Sequence, residues 1–410
     1  MRRLAAALAF ALALGGPAAA GPSADLARAH LEGRVAGAGL EQGVAALAAK
    51  AADPRDGEAR FGEGLLRFAR AVERWGQAQY GFGLRPPPGV PMPMTRLPVP
   101  PNPNPQTIDY AAARAAHAAF LADLKAAEAA LARVDGEAKI VVDLNAVHLD
   151  LTSSGKVEES GRLGAILAAM RMASAPSGAA EPFEVAFDRG DAAWLQGYCN
   201  LLSAFLEFGL AHDWRETFDI SAHRFYPKVA GAAGPRETDF ARRREMFGDS
   251  SSLADAIGLL HTIRWPVVEP ARLIAARDHL KRMAQLSRVS WAAILAETDD
   301  DREWLPNPKQ AGAARFAPVG QEQIDGWLMV MGEIEAALEG RKLVPHWRWE
   351  KGFDLSRVFT EPRPFDFVLW MTGHAALPYL ADGPSLSQAD WARWQSIFRG
   401  NFFGYALWFN

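Results

Sequence analysis

Ten prolines fall between residues 86 and 105, closing with the run Pro100-Pro101-Asn102-Pro103-Asn104-Pro105. Proline fixes φ and has no backbone donor, so this stretch predicts an extended connector rather than a helix or a central strand. The 410-residue chain therefore reads as an N-terminal helical segment at 21–85, the connector at 86–105 and a main domain at 106–410. The first segment is small for an independent core, which predicts that it docks on the rest. Cys199 is the only cysteine, so no intrachain disulfide supports the fold and its stability must come from burial. The 13 tryptophans and 22 phenylalanines are the main source of large buried surfaces.

The first residues have the layout of an export signal. Arg2 and Arg3 precede an apolar run from Leu4 to Leu14, and Ala18-Ala19-Ala20 offers a small-residue cleavage site. The expectation is a signal peptide over 1–20 and a periplasmic or secreted mature chain. No later stretch supplies about 20 uninterrupted apolar residues, so no membrane span is expected after the signal is removed. The formal net charge is −4, which excludes the electrostatic footprint of a nucleic-acid binder. No pattern in the sequence identifies a partner.

The remaining periodicity is helical. Leu65, Phe68, Val72 and Trp75 recur at steps of three and four within a helical stretch from Ala24 to Tyr80, broken near Asp53-Pro54 and Gly57. A helix is expected from Thr107 to Val134. Another runs from Asp191 to Asp219, with Trp194, Tyr198, Leu202, Phe205 and Leu206 as its buried stripe and Asp191 as its N-cap. Further helices fit 252–263, 269–298, 321–338, 364–380 and 387–399, with Pro270 and Pro364 in first turns. The β-branched runs 139–144 and 146–151 flank Asn145 and predict a short hairpin. The fold class is thus mainly α, a multi-helix globular assembly with a short β hairpin near 139–151.

Residues 150–161, DLTSSGKVEESG, resemble the EF-hand and dockerin-type calcium-binding loop in degenerate form. Calcium takes six to eight oxygens, which such loops supply from alternating side chains, one backbone carbonyl and a bidentate acid at the twelfth place. The resemblance implies Asp150, Thr152, Ser154, the Lys156 carbonyl and Glu158 as ligands, with Gly155 at the sharp turn and Val157 at the apolar eighth place. Neutral hydroxyls at 152 and 154, and Gly161 in the twelfth place, depart from the pattern. The implied affinity for calcium is weak. The loop also reads as a Ser/Gly turn in which Asp150 bonds nearby backbone donors.

A second candidate metal set is His212, Glu216, Asp219 and His223, whose offsets would place them on one face of a continuous helix. His261, His346 and His374 lie in apolar or aromatic stretches. The run Glu297-Thr298-Asp299-Asp300-Asp301, followed by Glu303, is dense in carboxylates and reads as a solvated end of a helix. Arg189-Gly190-Asp191 matches a cell-adhesion tripeptide. The aromatic end, with Trp408 and Phe409, is expected to be buried, while a Trp-rich C-terminal half also suits sugar binding. No phosphate loop, dinucleotide fingerprint, Gly-x-Ser-x-Gly elbow or His-Glu-x-x-His occurs. These readings converge on an exported α-helical binding or structural protein with a degenerate calcium loop and no assigned catalytic residue. The alternative is a metal-dependent or carbohydrate-active hydrolase using the 212–223 face or the Trp-rich half.

Overall fold

The computed structural model describes residues 21–35, 37–85, 97–156, 158–169, 182–231, 257–313 and 319–409. The signal-like segment 1–20, Val157, residues 86–96 of the connector and part of the expected 252–263 helix lie outside the described residues, and within that last span 257–262 are helical.

Three helices come first: α1 (Pro22–Leu31), α2 (Leu40–Lys50) and α3 (Gly57–Phe82). Asp56 starts α3 by accepting a hydrogen bond from the Ala59 N–H (2.8 Å), as an N-cap does. The turn between α1 and α2 was not legible as a break in the helical stretch. α4 (Tyr110–Leu131), capped by Asp109, lies against α3. Between them the described part of the connector clings to the end of α3. Leu97 is buried, Gln106 N–H donates to the Gly81 carbonyl (2.8 Å) and Asn102 Nδ2 donates to that of Tyr80 (2.8 Å).

Strand β1 (Ile140–Asp143) falls within the expected 139–144 run. Its antiparallel partner is β2 (Glu184–Phe187), paired from Ile140 opposite Phe187 to Asp143 opposite Glu184. The 146–151 run bends back instead to bridge at His148 with Arg162, just before α5 (Leu163–Ala169).

The helix expected at 191–219 is two. α6 (Arg189–Ala211) begins at Asp188, whose carboxylate accepts from Gly190 N–H (2.6 Å), while Asp191 reaches back to Asp188 N–H from the third helical position (3.0 Å). Asp191 is therefore the far half of a capping box rather than the cap. The helix stops at His212, which turns extended, and Asp213 N–H donates to the Pro266 carbonyl (2.9 Å). Helix α7 (Arg215–Ser221) follows. Leu195, Cys199, Leu206 and Leu210 form the deeply buried stripe of α6, whereas Phe205 is 61% exposed.

After β3 (Arg264–Trp265) comes α8 (Pro270–Ala296), with Pro270 in its first turn, then α9 (Gln321–Leu338), both near their expected bounds. After α9 come β4 (Gly352–Phe353) and α10 (Leu355–Thr360), and the single helix expected at 364–380 is instead several short elements: β5 (Phe365–Asp366), which Pro364 precedes, α11 (Phe367–Met371), a 3₁₀ turn over 374–379 and β6 (Leu380–Ala381). Asp366 caps α11, and left-handed Gly373 (φ +79°) ends it before the turn that carries Pro378. Two helices close the chain, α12 (Gln388–Ile397), capped by Ser387, and α13 (Phe402–Phe409). Beyond β1–β2 the sheets are two-residue antiparallel pairs, β3 with β5 and β4 with β6. The fold is mainly α with small two-stranded sheets, and none of the described helices is long and apolar enough to cross a membrane.

α6 and α8 run antiparallel. His279 Nδ1–H donates to Asn200 Oδ1 (2.7 Å), and Arg272 pairs with the buried Glu207 (2.8 Å). Helices α1 to α4, β1 and α6 enclose one apolar core that includes Leu47, Phe61, Leu124, Leu131 and Ile140. Helices α8, α9, α12 and α13 enclose another built on Trp291, Trp327, Phe398 and Phe409, and Trp194 of α6 packs against both. Trp408 and Phe409 are buried as expected. Phe409 lies edge-on to Trp291 (4.7 Å) and Trp327 (5.8 Å). Phe409→Ala is expected to destabilise the fold by about 3–5 kcal/mol, the range for emptying a buried aromatic site. Denaturant unfolding checks this, and an unchanged midpoint would mean that α13 does not support the second core.

Candidate functional site

The loop at 150–158 closes on itself. Asp150 accepts hydrogen bonds from the backbone N–H groups of Thr152 (3.3 Å), Ser154 (3.0 Å) and Gly155 (2.8 Å). The Thr152 and Ser154 hydroxyls donate to Glu158 Oε1 (3.0 and 3.3 Å). The rest of the loop's support is structural, since Asp150 N–H donates to the buried Glu73 and Gln77 donates to the Asp150 carbonyl. At the twelfth place Gly161 has no side-chain oxygen to offer an ion, and a Cβ there would stand 2.0 Å from the Leu149 carbonyl oxygen. A bidentate acid has no room where the calcium pattern wants it, the Asp150 carboxylate is occupied by backbone N–H groups, and the Thr152 and Ser154 hydroxyls are turned to Glu158. This donor set does not fit a calcium cage.

His212, Glu216, Asp219 and His223 are not gathered into one site. The break at 212–214 puts His212 at the end of α6, Glu216 and Asp219 on α7 with both exposed, and His223 in the following 3₁₀ turn. Of the other histidines, His346 and His374 both lie against Trp349, while His261 is exposed.

Two arrangements do assemble, at opposite ends of the α6–α8 pair. At the first, Asp188 before α6, Glu297 after α8 and Glu303 bring one carboxylate oxygen each within 4.8 Å of the others, the one such group among the described residues. Gly190 makes this approach possible, because a Cβ there would meet Ile294 at 2.9 Å and the carboxylates of Asp188 and Glu297 at 3.2 Å. Asp191 is buried beside them, so Arg189-Gly190-Asp191 serves packing and capping and is not presented to an adhesion partner. The acidic run is folded rather than merely solvated. Lys139 bridges Asp299 and Asp301 (2.9 Å each), and Gln310 donates to Glu297 (3.2 Å) and to the Asp299 carbonyl (2.9 Å). Burial, then the charge of Asp188, pushes the Glu297 carboxyl up to about 9. Burial pushes Glu303 up to about 7, and burial followed by Asp188 raises Asp191. Such a group holds either a proton or a cation, and an all-oxygen set suits a hard ion such as calcium or magnesium.

At the other end lies a cavity of about 460 Å³, between the C-terminal end of α6, the start of α8 and the 358–379 segment. Phe208, Phe365, Leu273, Trp370 and Tyr379 form its walls. Phe208 and Phe365 meet edge to face (5.3 Å), and Trp370 stacks parallel to Tyr379 (6.4 Å). His212 is 2% exposed and donates from Nδ1 to the Phe208 carbonyl (2.7 Å), which leaves Nε2 as an acceptor. Burial pushes the His212 imidazole below the ordinary histidine range and keeps it neutral. Arg264, Arg363, Asp366 and His374 complete the lining at its edge. Sequence reading singled out His212 and His374 but not their surroundings, because the walls come from distant positions, the aromatic residues at 208, 365, 370 and 379 and Leu273.

Compared with known proteins, the chain matches no family model, no curated protein and no solved structure.

Two outcomes test these sites. Glu297 and Glu303 bind protons more tightly in the folded chain than at their ordinary value of 4.5, so their stabilising contribution is complete below about pH 4.5 and is lost as pH rises, through about 7 for Glu303 and about 9 for Glu297. Glu297→Gln, which mimics the protonated acid, should leave the melting temperature near pH 5 unchanged and raise it near pH 9; identical pH slopes in both proteins would reject the arrangement. Asp150→Ala should lower stability by about 1–2 kcal/mol in the presence of chelator, because the lost bonds are to backbone N–H groups. A loss seen only in added calcium would restore the loop as an ion site.

Proposed function

We propose that this chain is an exported α-helical binding protein whose ligand, a small and mainly apolar molecule, occupies the cavity at the end of α6. The observation that carries this reading is the cavity itself. Its volume of about 460 Å³ lies in the roughly 300–1,000 Å³ range of small-molecule sites, and apolar walls with a few convergent polar groups are what such sites use. Placement supports binding over hydrolysis. Of the four residues on the 212–223 face that the hydrolase alternative would use, only His212 lines the cavity, while Glu216 and Asp219 point to solvent from α7, and the Trp-rich half that it would otherwise use contributes Trp370 as an apolar wall. Export rests on the sequence of residues 1–20 alone.

Indole, a small neutral aromatic, is a suitable probe in titration calorimetry with the chain from residue 21. It should bind at micromolar to sub-millimolar concentration, and Ala375→Trp, which fills the cavity from its lining, should abolish the signal while leaving the unfolding midpoint within a few degrees. Failure of the parent to bind indole would overturn the reading.

The oxygen triad of Asp188, Glu297 and Glu303 favours a second role, retention of calcium as a structural ion at the far end of the α6–α8 pair. Thermal unfolding in chelator and then in about 10 mM calcium, with magnesium as control, tests it: an ion held with a dissociation constant near 1 mM stabilises by about 1.4 kcal/mol. No shift in the parent, or an equal shift in Glu303→Gln, would set the ion aside.

A further inference from the structure

The geometry points to a ligand of one chemical class for this cavity, an aromatic carboxylate that also carries a hydrogen-bond donor. The inference rests on the cavity being a binding site and goes on to say what it selects. Three observations at separate parts of the lining converge.

The walls are aromatic from several directions. Phe208, Phe365, Trp370 and Tyr379 expose ring faces and edges, which favour a flat ring through offset or edge-on stacking over a flexible alkyl chain. Inside, two deeply buried side chains carry polar atoms: the Tyr379 hydroxyl is committed to the Glu361 carbonyl (3.2 Å), and His212 commits its Nδ1–H to the Phe208 carbonyl, which leaves its Nε2 as the acceptor. An acceptor walled by hydrocarbon selects a ligand N–H or O–H, because a ligand without one leaves the nitrogen desolvated and unpaired. At the edge stand two guanidinium groups, Arg264 and Arg363. Most arginines elsewhere, such as Arg28, Arg67, Arg272 and Arg357, are paired with carboxylates. Among the described residues Arg363 has no carboxylate within ion-pair distance, although its charge also acts on Glu361, which is itself paired with Arg357, and the Arg264 side chain donates to the His261 carbonyl (3.0 Å). The rim also holds one carboxylate, Asp366, which caps α11 through the Leu369 N–H (2.9 Å) and lies opposite Arg264 in the β3–β5 pair, so of the two guanidinium groups Arg363 is the one without a facing carboxylate. The rim thus keeps cationic donors for an anionic group, and guanidinium is suited to a carboxylate.

Titration calorimetry with four probes of shared or matched shape tests the class: indole-3-acetate, indole-3-acetamide, indole and octanoate. The aromatic acid should bind at least about tenfold more tightly than its amide, and that gap should shrink to less than about threefold in Arg363→Ala, whose exposed position leaves the fold intact. Equal binding of acid and amide, or a gap that survives Arg363→Ala together with Arg264→Ala, would overturn the carboxylate. Octanoate binding as tightly as indole-3-acetate would overturn the aromatic body. Binding of indole with no preference for the acid defeats this inference while leaving the cavity a binding site. Absence of binding by all four probes defeats both.

Discussion

Everything placed in this molecule hangs on the antiparallel pairing of α6 with α8. The pair is locked in register by polar groups that burial makes expensive to leave unmet. Asn200 and Glu207 are almost wholly buried on α6, and each finds its partner on α8, His279 and Arg272. Burial alone would push the Glu207 carboxyl up, but hydrogen bonds from Lys125 of α4 and Arg272 of α8 more than offset it and hold it below the ordinary range. A slide of one turn would leave a charge buried without a partner, which costs several kcal/mol. With Lys125 in the same network, α4 is held in the same register, so the N-terminal core and the C-terminal core are built on one frame.

That frame determines where chemistry is possible. A helix of 23 residues spans about 35 Å, and the two unusual environments lie at its two ends. At the start of α6 the unpaired N–H groups favour the Asp188 carboxylate, whereas Glu297 sits where the carbonyls of α8 point outward and disfavour negative charge. The helix field therefore acts in the same direction as burial and the charge of Asp188, toward a protonated or ion-bound Glu297. At the far end the helix gives way at His212, whose backbone turns extended to meet Val267. This break opens the aromatic cavity, since a helix continuing through residue 219 would carry the chain past it.

Much of the helical scaffold was legible. α8 and α9 follow from their flanking prolines and apolar periodicity, and α4 and α12 lie within the spans expected for them, while their caps, Asp109 and Ser387, were found only in the structure. Less legible were the places where a distant partner outweighs local preference. The end of α6 depends on hydrogen bonds to residues 266–268, and β1 pairs with a strand some 40 residues onward. The 364–380 stretch has helix-forming residues at helical spacing, yet Arg264 and Trp265 recruit Phe365 and Asp366 into a strand pair. Phe205 reads as part of an apolar stripe but is 61% exposed, whereas its neighbours Ala204 and Leu206 are buried.

By itself the sequence determined the class of fold, the absence of a disulfide framework and the burial of the aromatic end. These follow from covalent and local constraints: proline geometry, a lone cysteine, helical periodicity, and ring area too large to leave in water. Tertiary structure alone decided the sites. It turned the calcium-like loop into a self-satisfied turn, because Leu149 occupies the space that a twelfth-place carboxylate would need. It separated His212 from Glu216 and Asp219, joined Asp188 to Glu297 and Glu303 across more than 100 residues, and gathered the cavity walls from four segments. Such groupings depend on which surfaces meet when long helices pack, and helical periodicity says which face of a helix is apolar without saying what it will face.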